Sequence, residues 1–118
     1  MAWCMVLAID ANKLLAYDAI MKAKLIIRRR VVFGDRDFAS LVVWEVPSPV
    51  PPSEHRFKYS LVYIVSGRRI IGFDNERGKG DHRHDGELEA DYEFRDIDQL
   101  LNDFAEAVEL WRAEHGND

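Results

Sequence analysis

Between Asp74 and His84 the chain reads Asp-Asn-Glu-Arg-Gly-Lys-Gly-Asp-His-Arg-His, which gathers carboxylates, cations and two imidazoles into one short stretch. Cleavage of RNA by its own 2′-hydroxyl needs that mixture: one group takes the hydroxyl proton, another protonates the leaving oxygen, and cations hold the charged transition state. His82 and His84, or one of them with Glu76, supply the proton transfers in this reading, and Arg77, Lys79 and Arg83 the positive charge. In an extended arm the two histidines share one side, about 6.6 Å apart along the strand. Gly78 and Gly80 permit close backbone approach to a ligand. Asp74, Asn75 and Asp81 shape the segment.

A divalent-metal reading of the His-x-His pair with Asp74 or Asp81 is weaker, because the helical His-Glu-x-x-His context is missing. Glu76 and Lys79 also lack the alternating Glu-x-Lys spacing of a metal-dependent nuclease. No metal or other cofactor is therefore expected. The plainest reading makes Asp74 and Asn75 a turn and the remainder a solvated hinge.

The elements that must hold this segment are legible around it. Met21 to Phe33 alternates imperfectly, Gly34 to Asp37 supplies turn chemistry, and Phe38 to Val46 is rich in Val. Pro47, Pro49, Pro51 and Pro52 then exclude both helix and central strand. His55 to Val65, the turn Ser66-Gly67 and Arg68 to Asp74 form a second hairpin. Residues 75–87 read as a loop or irregular arm, with Leu88 to Phe94 a possible fifth strand.

Ile97, Leu100, Leu101, Phe104, Val108 and Trp111 recur at helical spacing, with Asp96 and Gln99 set as a capping box and Gly116 as a stop. The expected fold is α+β: an antiparallel sheet of four to five strands built from two hairpins, with one long C-terminal amphipathic helix on one face. Residues 21–118 form the single domain, and residues 1–20 an appendage or a short helix begun at Asp10.

Strand alternation places Phe57, Tyr59, Leu61, Tyr63 and Val65 toward the helix and Arg56 and Lys58 away from it. In the first strand Leu25, Ile27, Val31 and Phe33 go together, leaving Lys24, Arg28 and Arg30 opposite. Lys24, Arg28, Arg30, Arg56 and Lys58, with Tyr59 beside them, are the candidate substrate-binding set, able to carry an RNA backbone through its phosphates. The same cations also suit a solvated face that protects strand edges. Trp44 and Trp111 read as core, and His55 as a residue that approaches the charged segment.

Composition is globular, with 47% hydrophobic and 31% charged residues. The net charge of −5 alone argues against nucleic acid, but the average conceals an asymmetry. Residues 22–84 carry 13 Lys and Arg against 7 Asp and Glu, whereas residues 85–118 carry 2 against 12. A basic body therefore precedes an acidic end. The lone Cys4 excludes an internal disulfide and suits a reducing compartment, so a cytoplasmic location is expected. Ala2 to Ile9 lacks the preceding cations of a secretory signal, and no run nears the roughly 20 apolar residues of a membrane span.

Trp44-x-Val46-Pro47, His55-Arg56-Phe57-Lys58-Tyr59, the string Phe73 to His84 and the terminal Phe104 to Trp111 helix together resemble the TumE family of toxins from type II toxin-antitoxin systems. The resemblance covers Met21 to Trp111 and rests most on Asp-Asn-Glu-x-Gly-Lys-Gly-Asp-His-x-His. Members of that family begin near the position of Met21, and they carry a longer Gly-rich link where this chain has Asp85-Gly86-Glu87. The resemblance implies a bacterial or archaeal cytoplasmic protein and a cognate antitoxin partner, usually a small helix-turn-helix protein. It does not fix a reaction. A metal-independent endoribonuclease is the expectation from the residues, and a non-catalytic module binding nucleic acid or protein through the basic sheet face is the alternative. A homodimer is compatible with either.

Overall fold

The computed structural model describes residues 22–115. Six strands follow in chain order: β1 (Lys24–Val32), β2 (Asp37–Glu45), β3 (Phe57–Val65), β4 (Arg68–Glu76), β5 (Gly80–Asp85) and β6 (Leu88–Asp91). One helix, α1 (Ile97–His115), closes the described chain. Spatial order equals chain order and every neighbouring pair is antiparallel, so the sheet is a meander with α1 against one face.

The α+β expectation holds, but the sheet has six strands rather than four to five. The charged segment is not a loop. Asp74, Asn75 and Glu76 end β4, Arg77 to Lys79 make the turn, and β5 returns with Glu76 opposite Gly80. Its alternation is of charged with charged, so the apolar period that reveals a half-buried strand is missing. Gly78 (φ 90°) and Gly80 (φ 82°) give this turn its left-handed backbone, which side chains with a Cβ resist. Ser66 (φ 50°) and Gly67 (φ 80°) both take positive φ, as a two-residue hairpin turn with the sheet's own twist requires.

The core lies between α1 and the face carrying Ala39, Val43, Tyr59, Leu61, Tyr63, Ile71 and Phe73. Leu61 stands between Leu41 and Phe73, and Tyr63 between Ala39 and Ile71. Leu100, Phe104, Ala107 and Val108 fill the helix side, as their spacing requires. Asp96 caps α1 by accepting from the Gln99 amide at 2.7 Å. The reciprocal half of the box is replaced, since the Gln99 side chain turns to Asp103 at 2.7 Å. At the far end Asp37 accepts from Arg112 and from the Tyr63 hydroxyl (2.6 Å), tying the last helical turns to β2 and β3.

Two placements differ from the alternation read in sequence. A bulge at Ile26 shifts β1, so Lys24 lies opposite Glu45 and, through it, Phe57, on the helix side. Lys24 thus does not share a face with Arg28 and Arg30. Trp44 is half-buried opposite Lys58 on the second face instead of in the core, whereas Trp111 does pack against the core. The reading of residues 1–20 as appendage or short helix falls outside the described residues.

Candidate active site

The ladder register aligns two rows on the face that α1 does not cover. One runs Arg28, Val42, Ser60, Asp74, His82, Asp91, and the next Arg30, Ser40, Val62, Gly72, His84, Glu89. His82 and His84 therefore share one side of β5, with ring centroids 6.5 Å apart and planes inclined by 25°. Asp74 stands beside His82 on β4, and Glu89 beside His84 on β6.

The neighbours of the two rings set opposite tautomers. His82 is 8% exposed, and its Nδ1 donates to the Gly80 carbonyl at 2.8 Å. A carbonyl can only accept, so the proton of a neutral His82 is on Nδ1 and its Nε2 keeps a lone pair. That Nε2 faces the exposed Asp91 at 3.9 Å. His84 is arranged the other way. Arg69 Nη2 lies 3.2 Å from its Nδ1, and a guanidinium can only donate. The proton of a neutral His84 is therefore on Nε2, pointing at Asp74 (3.4 Å) and Glu89 (3.7 Å). One imidazole presents an acceptor and its neighbour a donor, the division of labour that acid–base transfer requires.

Arg69 was not among the candidate residues. It reaches His84 because a second bulge, where Tyr63 pairs with Ile71 and Ile64 with Arg69, turns it onto this face, and because Gly72 leaves room. A Cβ at Gly72 would lie 3.0 Å from Arg69 Cδ and 3.5 Å from His84 Cδ2. A lone glycine inside a strand is the sequence signal of such a close approach.

The other candidates divide between the faces. Glu76, at the end of β4, alternates with Asp74 onto the histidine side. Lys79 reaches Glu89 at 3.5 Å and so borders His84. Arg77 is exposed in the turn. Arg83 stands on the helix side, paired with Asp85 at 2.9 Å and 5.1 Å from the centre of the Phe73 ring, away from the imidazoles it flanks in sequence. Arg28, Arg30 and Lys58 are on the histidine face. Lys58 also donates to the Asn75 carbonyl. Arg56 is exposed and lines a shallow depression with Lys22, Lys24 and Glu45. Tyr59, 1% exposed, is inside the core and not on the face of Lys58.

Asn75 and Asp81 shape the hairpin from beneath. Asn75 is fully buried, accepting from the Tyr59 amide (3.0 Å) and donating to the Phe57 carbonyl (2.7 Å), so its side chain continues the β3–β4 ladder. Asp81 accepts from Ser53 Oγ, from His55 Nε2 at 2.7 Å and from Tyr59 Oη at 2.6 Å. His55 thus does meet the charged segment, and it stacks on Phe94 at 3.8 Å. Burial pushes the Asp81 carboxyl up, but the bonds from His55, Ser53 and Tyr59 outweigh it and leave its pKa below the usual carboxylate value. Burial, with the bond to Asp81, drives the Tyr59 hydroxyl far above its ordinary pKa, so it serves as a donor. Ser53 was invisible as a site residue, because the contact joins it to Asp81 across the Pro-rich loop.

With Asp81 committed on the opposite face, it cannot join His82 and His84 around an ion. Among the described residues no three His, Cys, Asp or Glu side chains are grouped to hold a metal. No helix among them is long and apolar enough to cross a membrane.

A family model described as Toxin TumE matches residues 7–112. The match takes in the whole charged hairpin and α1 up to Arg112, and it begins well before Met21. No curated protein and no solved structure matches the chain.

Proposed function

The chain belongs to the TumE toxin family, and on that premise we propose that it is the toxin of a type II toxin-antitoxin pair, acting as a metal-independent endoribonuclease. The observation that carries the reading is the pair of imidazoles on one face with opposite free functions at Nε2. His82 Nε2 takes the proton of the 2′-hydroxyl, the oxygen attacks the adjacent phosphorus, and His84 Nε2–H supplies the proton for the departing 5′ oxygen. Arg69 holds the His84 ring, and Lys79 brings positive charge to its border. Arg28, Arg30 and Lys58 hold backbone phosphates farther along the strand. The partner is a cognate antitoxin, a small helix-turn-helix protein by the family pattern.

Purified protein should cut RNA in the presence of EDTA. His82→Ala and His84→Ala should each lower the rate by about 10²–10⁴-fold, the usual share of a general acid or base, with unchanged circular dichroism. Cleavage that survives both substitutions would sink the assignment. Cleavage abolished by EDTA would move it to a metal-dependent reaction.

One observation favours a second reading, a binding module without catalysis. Asp74 and Glu89 lie within 4 Å of His84 and repel a phosphate, whereas Arg28 and Arg30 are four strand spacings from the histidines, about 19 Å. RNA held at the β1 end and repelled by Asp74 and Glu89 at the other would bind without being cut. Saturable binding with no product at any protein concentration selects this reading.

A further inference from the structure

Among the described residues β1 is hydrogen-bonded to β2 alone, so along its nine residues the outer backbone groups have no sheet partner. Its two ends are apolar and exposed: Leu25 (46%) and Ile26 (45%) at one, Val32 (64%) at the other. Between them stand Arg28, Arg29 and Arg30, all exposed. Arg30 lies over the Phe38 ring at 3.9 Å, and Arg28 and Arg29 form no ion pair with any described residue.

Cations on an edge strand commonly prevent self-association, and here they act selectively. A second copy of β1 laid antiparallel about Arg29 would set Arg29 against Arg29 and Arg28 against Arg30, which is repulsive. An acidic strand meets the opposite condition. The chain has one of its own in β6, where Glu89 and Asp91 are exposed on the opposite edge of the sheet. With four residues β6 spans about 13 Å, while Ile26 and Val32 are about 20 Å apart along β1. It would cover the arginines and leave an apolar end bare.

We propose that the β1 edge binds an extended acidic segment of another protein, added as a seventh strand. Main-chain hydrogen bonds run along β1, carboxylates at the centre of the segment meet Arg28, Arg29 and Arg30, and apolar residues at its ends cover Leu25, Ile26 and Val32. This goes beyond the nuclease reading and uses neither histidine. Because Arg28 and Arg30 also belong to the RNA-binding set, the bound segment competes with RNA for them.

The test uses the full chain and a synthetic peptide of strand length, with valines at both ends and glutamates at the centre. A second peptide carries lysines in place of the glutamates. The glutamate peptide should bind, slow hydrogen exchange of β1 amides and weaken as salt is raised, while the lysine peptide does not bind. Arg29→Glu, which is exposed and outside the RNA-binding set, should weaken the glutamate peptide about tenfold and give the lysine peptide measurable affinity. Equal binding of the two peptides, binding of neither at millimolar concentration, or protection that maps away from β1 overturns the proposal. So does peptide-free association that buries β6 against β1, which would assign the edge to a second copy. If Arg29→Glu does not fold, the comparison of the two peptides on the unaltered chain decides alone.

Discussion

At the scale of single residues, the distinction between His82 and His84 comes from what each Nδ1 touches. A carbonyl fixes one proton and a guanidinium repels the other, so two identical side chains two positions apart become an acceptor and a donor at Nε2. Arg69 maintains this difference and depends on the empty space at Gly72. Gly72→Ala places a methyl group 3.0 Å from Arg69 Cδ, and the flexible arginine gives way more readily than the strand. Stability should then change by less than about 1 kcal/mol, because the displaced group is the end of a mobile side chain. RNA cleavage should fall about tenfold as His84 loses the partner that sets its tautomer. Arg69→Ala should reproduce the fall and Arg69→Lys restore part of it, since an ammonium donates to the same nitrogen. Thermal unfolding and cleavage rates on the same samples separate the outcomes. A Gly72→Ala protein that cuts RNA at the original rate would remove Arg69 from the mechanism.

At the scale of elements, the β4–β5 hairpin is held from the side opposite its histidines. Ser53, His55 and Tyr59 converge on Asp81, whose side chain leaves β5 one position before His82 and points the other way. The Asp81 pKa is lowered in the folded protein, so its stabilisation is complete above the unfolded value of 3.8 and is lost as pH falls through the lower folded value. Asp81→Asn keeps the shape but can accept fewer of the three hydrogen bonds, and should cost about 2 kcal/mol at pH 7. That difference should begin to narrow as pH falls below about 4, where the unfolded carboxylate takes up its proton, and close once pH passes the lower folded value. Urea unfolding at pH 7 and pH 3 measures both, and a difference independent of pH would mean that the charge of Asp81 contributes nothing. Much of this element was legible in the chain: the two hairpins, the helix and the shared side of His82 and His84 follow from period and alternation. The hairpin itself was hidden because its strands alternate charge with charge. The faces of Lys24 and Arg69 were hidden because a bulge leaves no mark in residue type. The approach of His55 to the charged segment was legible from its place at the start of the third strand. Its partner Asp81, 26 positions away, was not, because only the fold of the Pro-rich loop brings them together.

At the scale of the whole molecule, the sheet sorts charge from one edge to the other. β1 carries Arg28, Arg29 and Arg30, and β6 carries Glu89 and Asp91, with the histidines next to the acidic edge. The polarity that composition shows between the two parts of the chain becomes a gradient across about 24 Å of sheet, because a meander lays strands down in sequence order. An RNA strand lying across the histidine face would be drawn in at Arg28 and Arg30 and repelled near Asp74 and Glu89, so affinity and cleavage should respond to different residues. For single-stranded RNA each neutralised phosphate adds about 0.7 to the slope of log affinity against log salt. Arg28→Gln with Arg30→Gln should therefore flatten that slope by about 1.4 and raise KM with little change in kcat, if each arginine neutralises one phosphate. Glu89→Gln should tighten binding and leave the slope nearly unaltered, since it removes a repulsion without adding a phosphate contact. Filter binding over a range of salt, with cleavage kinetics on the same RNA, tests the arrangement. An unchanged slope in the double variant would place the RNA away from β1 and leave those arginines to a protein partner.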